Sequence, residues 1–237
     1  MAVTIEQPAA LPGAEAAGAP LLELHGIAKR WPGTPEPVLA GVDLTVRAGE
    51  TVAITGRNGA GKTTLLRIAA GLLLADGGSV RLDGLDPERD RTAFHARVGF
   101  LSAGNSGLYG RLKVEQHLDF WARLALIPRA RRRDACERAR ARFALDELCG
   151  KRVDRLSMGQ RQRVRLALAF LHDPDVALLD EPRTSLDDEG AELVAAAVAE
   201  LTARGGAAVV CAPRSEDAGI PFDRRHLVQG GAMVPAL

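Results

Sequence analysis

No stretch of the 237 residues approaches the roughly 18 consecutive apolar positions a membrane-spanning helix needs. The N-terminus also lacks the basic-then-apolar order of a secretory signal. The chain is therefore expected to be soluble in itself. Charge of one sign is missing too: 31 Lys and Arg against 30 Asp and Glu leave a formal net charge of +1. No whole-protein field recruits nucleic acid or an anionic membrane, so any such contact must come from a local patch. Cysteine is scarce. Cys136, Cys149 and Cys211 form no C-x-x-C pair and no metal-ligand spacing, and their odd number argues against a disulfide framework. They read as small packing residues in a reducing cytoplasm.

What is present is a globular composition, 46% hydrophobic and 26% charged, enough for one large domain or a domain carrying a subdomain. Residues 1–20, rich in Ala, Pro and Gly, read as a disordered leader. From Leu21 onward "LLELHGIAKRW", "VDLTVRAG" and "TVAITG" have the pattern of short strands between turns. "GKTTLLRIAAGLL" places Leu65, Ile68, Ala69 and Leu72 at helical spacing, and "SVRLDGL" resembles a hairpin strand after a turn at Gly77-Gly78. About Val114 to Arg152 is a largely helical insert. "QRQRVRLALAFL" carries Val164, Ala167, Leu168 and Leu171 on one face and stops at His172-Asp173-Pro174. "DVALLD" and "GAAVVC", separated by a helical stretch, read as strands buried on both faces of a parallel sheet.

Two constellations carry chemistry. "GRNGAGKTT", Gly56 to Thr64, fits G-x-x-x-x-G-K-[ST] between an apolar strand and an amphipathic helix. A polyphosphate needs several backbone N–H donors at once, and Gly56, Gly59 and Gly61, with Asn58 and Ala60 between them, let the chain wrap that closely at a helix N-terminus. Lys62 reaches the terminal phosphates, Thr63 offers a hydroxyl to Mg²⁺, and Thr64 follows in the same turn. A plain glycine-rich turn with a capping threonine is the competing reading; the strand-loop-helix context decides against it. The second is "VALLDEP", an apolar strand ending in two carboxylates. Asp180 suits the Mg²⁺ shell, Glu181 the water that attacks a γ-phosphate, and Pro182 ends strand pairing.

The most specific stretch, "LSMGQRQRVRLALAFL", resembles the signature motif of ATP-binding-cassette (ABC) ATPases, and "VALLDEP" and "SLD" follow at that family's spacing. The likeness spans nearly the whole chain from Leu21. It implies an α/β fold: a P-loop NTPase core with a parallel sheet (21–101 and about 153–237), an N-terminal antiparallel β subdomain and a helical subdomain at about 102–152. It implies ATP and Mg²⁺ as ligands, and a second cassette, in a homo- or heterodimer, whose nucleotide meets Ser157, Gly159 and Gln160. It implies that Asp187 helps join the halves, that Trp31 stacks on adenine, and that separate transmembrane permease subunits are the partners, with no direct nucleic acid. The implied place is the inner face of the cell membrane. "GLYGRLKVEQHL" is similar to the exporter segment that leads toward the membrane partner, with Tyr109 and Leu112 as contacts.

The pattern also breaks. Where the family carries a glutamine, "VGFLSAGNSGLYGRL" offers Ala103 or Gly104, with Asn105 the nearest amide. Where a histidine is expected, "AAVVCAPRSED" offers Ala212 or Pro213, and Arg183 replaces a small hydroxyl residue. Tight ATP binding with slow hydrolysis is the expectation, or a heterodimer whose partner completes one site. A non-transport cassette and a nucleotide sensor are the rival readings. The arginines between Arg129 and Arg142 read as a solvated helix face with an Asp134–Arg138 pair, lipid or a permease loop being the alternative.

Overall fold

The computed structural model describes residues 19–104, 107–212 and 219–236. The chain begins with β1 (Pro20–Lys29), β2 (Leu39–Arg47), β3 (Thr51–Thr55), α1 (Lys62–Ala69) and β4 (Gly77–Leu82). It continues through α2 (Arg91–His95), β5 (Val98–Leu101), α3 (Val114–Leu124), α4 (Arg129–Arg142) and α5 (Met158–Phe170). It ends with β6 (Val176–Asp180), α6 (Asp188–Ala203), β7 (Ala207–Cys211), β8 (Arg224–Gln229) and β9 (Ala232–Pro235). Among the described residues these strands form two sheets: an antiparallel one in the order β2-β1-β4, and a larger one in the order β5-β6-β7-β3-β8-β9, parallel except for β9.

The near-continuous apolar runs of β6 and β7 follow from their place in the middle of the large sheet, where successive side chains enter different cores. Ala177 and Leu179 of β6, with Ala208 and Val210 of β7, join α3, α4, α5 and α6 in one core. Val176 and Leu178, with Ala207, Val209 and Cys211, join α1 and the antiparallel sheet in the other. Burying each Val or Leu stabilises the fold by about 1.5–3 kcal/mol before entropy is counted. Arg224 of β8 clamps the two sheets, donating to the buried Glu50 carboxylate and to the Thr45 carbonyl of β2.

Three local expectations are corrected. Gly77 and Gly78 do not form a turn; they open β4, which pairs with β1, Gly77 facing Ala28 and Ser79 facing His25. The partner strand lies some fifty residues back, beyond the reach of a local turn reading. The helix over Leu65 stops at Ala69, because Gly71 takes φ +67°, and Leu72 is left 55% exposed. Arg138 pairs at 2.7 Å with Asp173, just past α5, and the i,i+4 pair on α4 is instead Arg133–Glu137 at 2.9 Å. With Arg140 on Asp146 and Arg142 on Glu200, four arginines of α4 pair with carboxylates of the same chain.

Candidate active site

The parallel strands end at one edge, and the site is built there, as the topology of open α/β sheets favours. In the register of the large sheet Ile54 of β3 lies opposite Cys211 of β7, and Cys211 lies opposite Asp180 of β6. Three strand tips thus bring Gly56–Thr64 beside Asp180-Glu181, from segments more than a hundred residues apart. Thr63 Oγ1 donates to Asp180 Oδ2 at 2.6 Å, so the two predicted Mg²⁺ ligands meet. Asp180 is 1% exposed. A threonine hydroxyl and a carboxylate are hard oxygen donors of the kind Mg²⁺ takes, with phosphate and water filling the remaining positions.

The loop before α1 needs its glycines. A Cβ on Gly56 would stand 2.6 Å from the Val228 carbonyl oxygen, and Gly61, at φ +106°, would put one 2.9 Å from that of Val38. Only a bare backbone fits there, which is what close approach to phosphate demands. Lys62 Nζ is folded back onto the loop, donating to the carbonyls of Gly56 at 2.9 Å and Arg57 at 3.1 Å. Asn58 and Gly59 are exposed; Ala60, Thr63 and Thr64 are half-buried. A hollow of about 360 Å³ borders the loop at Gly59 and Ala60 and is completed by Glu36, Val38 and Gly231. Trp31 does not line it. That exposed ring lies in the turn after β1, with Lys29 Nζ 5.7 Å from its centroid.

Glu181 has φ +51°, a left-handed conformation uncommon for a residue with a Cβ. Its N–H donates to the Cys211 carbonyl at 2.8 Å, and its own carbonyl accepts from Thr184 N–H at 3.2 Å. The tip is therefore a turn held at both sides. Cys211 itself is wholly buried; desolvation, then the nearby Asp180 charge, pushes its thiol well above the usual range. It is a packing residue, as the sequence indicated.

Ser157 caps α5: its Oγ accepts from Gln160 N–H at 3.2 Å while its own N–H donates to Gln160 Oε1 at 3.1 Å, a reciprocal capping box. Ser157 is exposed and Gly159 and Gln160 are half-buried. A Cβ on Gly159 would meet the Ser185 carbonyl at 2.7 Å, so the signature helix packs directly on the "SLD" turn. Asp187 caps α6, accepting from Gly190 N–H at 2.8 Å.

Of the departures, Ala103 is half-buried, Gly104 takes φ +79° and Ala212 donates its N–H to the Ile54 carbonyl. Asn105 and Pro213 lie outside the described residues. Two residues that the sequence reading passed over are close to the site. Gln162 and Arg165 are buried polar side chains on α5, and their i,i+3 spacing in "QRQRVR" was the available signal. A second cleft of about 360 Å³ lies against that helix, lined by Leu72, Phe100, Ser102, Trp121, Leu124 and Arg165 among others. Among the described residues no cluster of three His, Cys, Asp or Glu could hold a metal, and no helix is long and apolar enough to cross a membrane.

Comparison with known proteins agrees with this fold. The ABC transporter family profile matches residues 39–184. The chain is 40% identical over 146 residues to the ABC transporter ATP-binding protein NatA of Bacillus subtilis, covering 62% of this chain and 59% of that one. It is 38% identical over 195 residues to the cytochrome c biogenesis ATP-binding export protein CcmA of Xanthomonas oryzae, covering 81% and 86%. It is 44% identical over 185 residues to the aliphatic sulfonates import ATP-binding protein SsuB of Cupriavidus necator, covering 76% and 57%. The matches thus span 59% of NatA, and only 29% of the multidrug ATP-binding protein YbhF of Escherichia coli. Among solved structures, a dimeric ATP-binding cassette in a post-hydrolysis state, bound to ADP and Pi, superposes with a TM-score of 0.79 at 23% identity, covering 91% of this chain and 98% of that one. That likeness gives the fold.

Proposed function

Because this chain belongs to the ABC transporter family of ATP-binding cassettes, we propose that it is the ATP-binding and ATP-hydrolysing subunit of a transporter, driving separate membrane subunits from the cytoplasmic face. The observation that carries the reading is the Thr63–Asp180 hydrogen bond, which joins the phosphate loop to the carboxylate-tipped strand.

Each side chain then has a task. The N–H groups from Gly56 to Thr64 surround the phosphates, and Lys62 exchanges the carbonyls of Gly56 and Arg57 for β- and γ-phosphate oxygens. Thr63 and Asp180 hold Mg²⁺, which when bound neutralises charge on the phosphates. Glu181 orients the attacking water and accepts its proton. Ser157, Gly159 and Gln160 at the α5 N-terminus receive the γ-phosphate of a second cassette's ATP, and the Asp187 turn lies along the joint. Trp31 takes the adenine.

Export is the direction we infer, supported by the likeness of "GLYGRLKVEQHL" to exporter cassettes; the named relatives include both an export and an import protein. The cleft at Leu72, Phe100 and Trp121 suits the permease. Tyr109, 60% exposed, touches Phe120 edge-on at 5.8 Å, and Phe120 touches Trp121, so a row of rings leads to the cleft rim. Hydrolysis by the isolated chain is slow, for want of the usual Gln and His. Titration with Mg·ATP tests the core of this reading. The Glu181→Gln variant should bind ATP as the wild type does, show no turnover and run as a dimer by light scattering. Absence of ATP uptake rejects the function; undiminished turnover rejects Glu181 as the base.

A further inference from the structure

Arg165 is 6% exposed and Gln162 4%, although both lie on a helix whose register would suit apolar side chains. Burial lowers the Arg165 pKa from the usual arginine value, a cost that its hydrogen bonds offset. Its guanidinium donates to the backbone carbonyls of Ser102 and Gly104, and to the Ser102 hydroxyl at 3.1 Å, all in the loop that follows β5. It also donates to Gln162 Oε1 at 2.7 Å. Gln162 Nε2 in turn donates to the Pro182 carbonyl at 3.0 Å. Pro182 is the residue after Glu181, in the turn where Glu181 holds φ +51°.

We propose that Arg165 and Gln162 are positioning residues that couple the loop after β5 to the Glu181 turn. Ser102 and Arg165 also line the cleft of about 360 Å³, so whatever fills that cleft presses on one end of the chain of bonds. The other end fixes the carbonyl beside Glu181. A planar guanidinium reaching from α5 thus ties down the loop at Ser102 and Gly104. This rests on the reading of Glu181 as the residue that handles the attacking water.

Two variants of the full chain test it. Gln162→Glu keeps shape and still accepts from Arg165, but has no N–H to give Pro182, so only the second link is cut. Arg165→Met cuts the first. Hydrogen exchange at the amides of Thr184 and Leu186, within the turn, should quicken in both variants, although Arg165 bonds to neither. Turnover by Gln162→Glu should fall about tenfold or more while ATP affinity stays within about twofold. Wild-type exchange at the turn in either variant overturns the coupling, and so does a loss of ATP affinity equal to the loss of turnover, which would make Gln162 merely structural. A chain that takes up no Mg·ATP would sink the nucleotide reading instead, and exchange at the turn would still decide this one.

Discussion

Thr63 Oγ1 and Asp180 Oδ2, 117 positions apart in sequence, lie 2.6 Å from one another. This bond is both a fold contact and a metal-site contact, and substitutions separate the two. Thr63→Ala leaves a buried carboxylate short of a donor and should cost about 1–3 kcal/mol in urea unfolding. Asp180→Asn keeps an oxygen for the hydroxyl, so stability should change less. It removes the charge, however, so the Mg²⁺ concentration that supports half-maximal ATPase activity should rise at least tenfold. An Asp180→Asn protein with the Mg²⁺ dependence of the wild type would remove Asp180 from the metal shell.

Gly61 offers a second separation. Alanine there must adopt φ +106° with its Cβ 2.9 Å from the Val38 carbonyl oxygen and 3.1 Å from Leu39 Cδ2. We expect Gly61→Ala to lose about 1–3 kcal/mol of stability. ATP binding, followed by calorimetry, should fall further than stability does, because the loop backbone moves off its contacts. Gly84, at φ +77° with nothing within 4 Å of a Cβ, serves as the control that leaves ATP binding unchanged.

The parts of this molecule that the sequence displayed are those decided by neighbours along the chain. β6 and β7 were legible because burial on both faces leaves apolar runs, broken in β6 only by Asp180 at its tip, and the phosphate loop because its glycines, lysine and threonine are contiguous. What stayed hidden depends on distant partners. β4 was misread because its pairing with β1 is non-local. β8 is half-exposed along much of its length and presents no apolar run, so its place beside β3 shows only in the fold. Gln162 and Arg165 lie outside the apolar set of Val164, Ala167, Leu168 and Leu171, so the apolar pattern does not mark them as buried. Their burial comes from carbonyls of Ser102, Gly104 and Pro182, which no spacing rule brings to them.

Ser157 has two duties that one pair of variants can divide. As the N-cap of α5 it satisfies Gln160 N–H, so Ser157→Ala should cost about 1 kcal/mol in thermal or urea unfolding. Aspartate caps as well as serine, so Ser157→Asp should keep the stability. It also sets a negative charge where a partner's γ-phosphate is to arrive. In the Glu181→Gln background, Ser157→Asp should therefore stay monomeric with Mg·ATP by light scattering. Dimerisation equal to that of the serine protein would place the signature helix outside the nucleotide joint.

Acid should loosen this fold well before its carboxylates protonate. His95, His117, His172 and His226 all have pKa values lowered from 6.5, chiefly by burial; Arg91 adds to the effect at His95 and Arg224 at His226. Backbone carbonyls oppose it in two places, that of Tyr109 at His117 and that of Val98 at His172. A histidine whose folded pKa lies below its unfolded one binds fewer protons in the native state, so stability rises with pH until the unfolded value is passed. The contribution is complete above pH 6.5 and drains as pH falls through the lowered folded values. Asp76 and Asp86, lowered by hydrogen bonds with Lys29 and with the Glu88 and Arg89 amides respectively, act in the same sense but only below their ordinary value of 3.8. Between pH 7.5 and 5 the histidines therefore govern the slope. Tm should hold level from pH 7.5 to about 6.5 and then decline, and His117→Gln, which removes the imidazole with the unpartnered buried Nδ1, should flatten the decline. A Tm that stays level down to pH 5 would mean that these imidazoles accept protons in the native state as readily as in the unfolded chain.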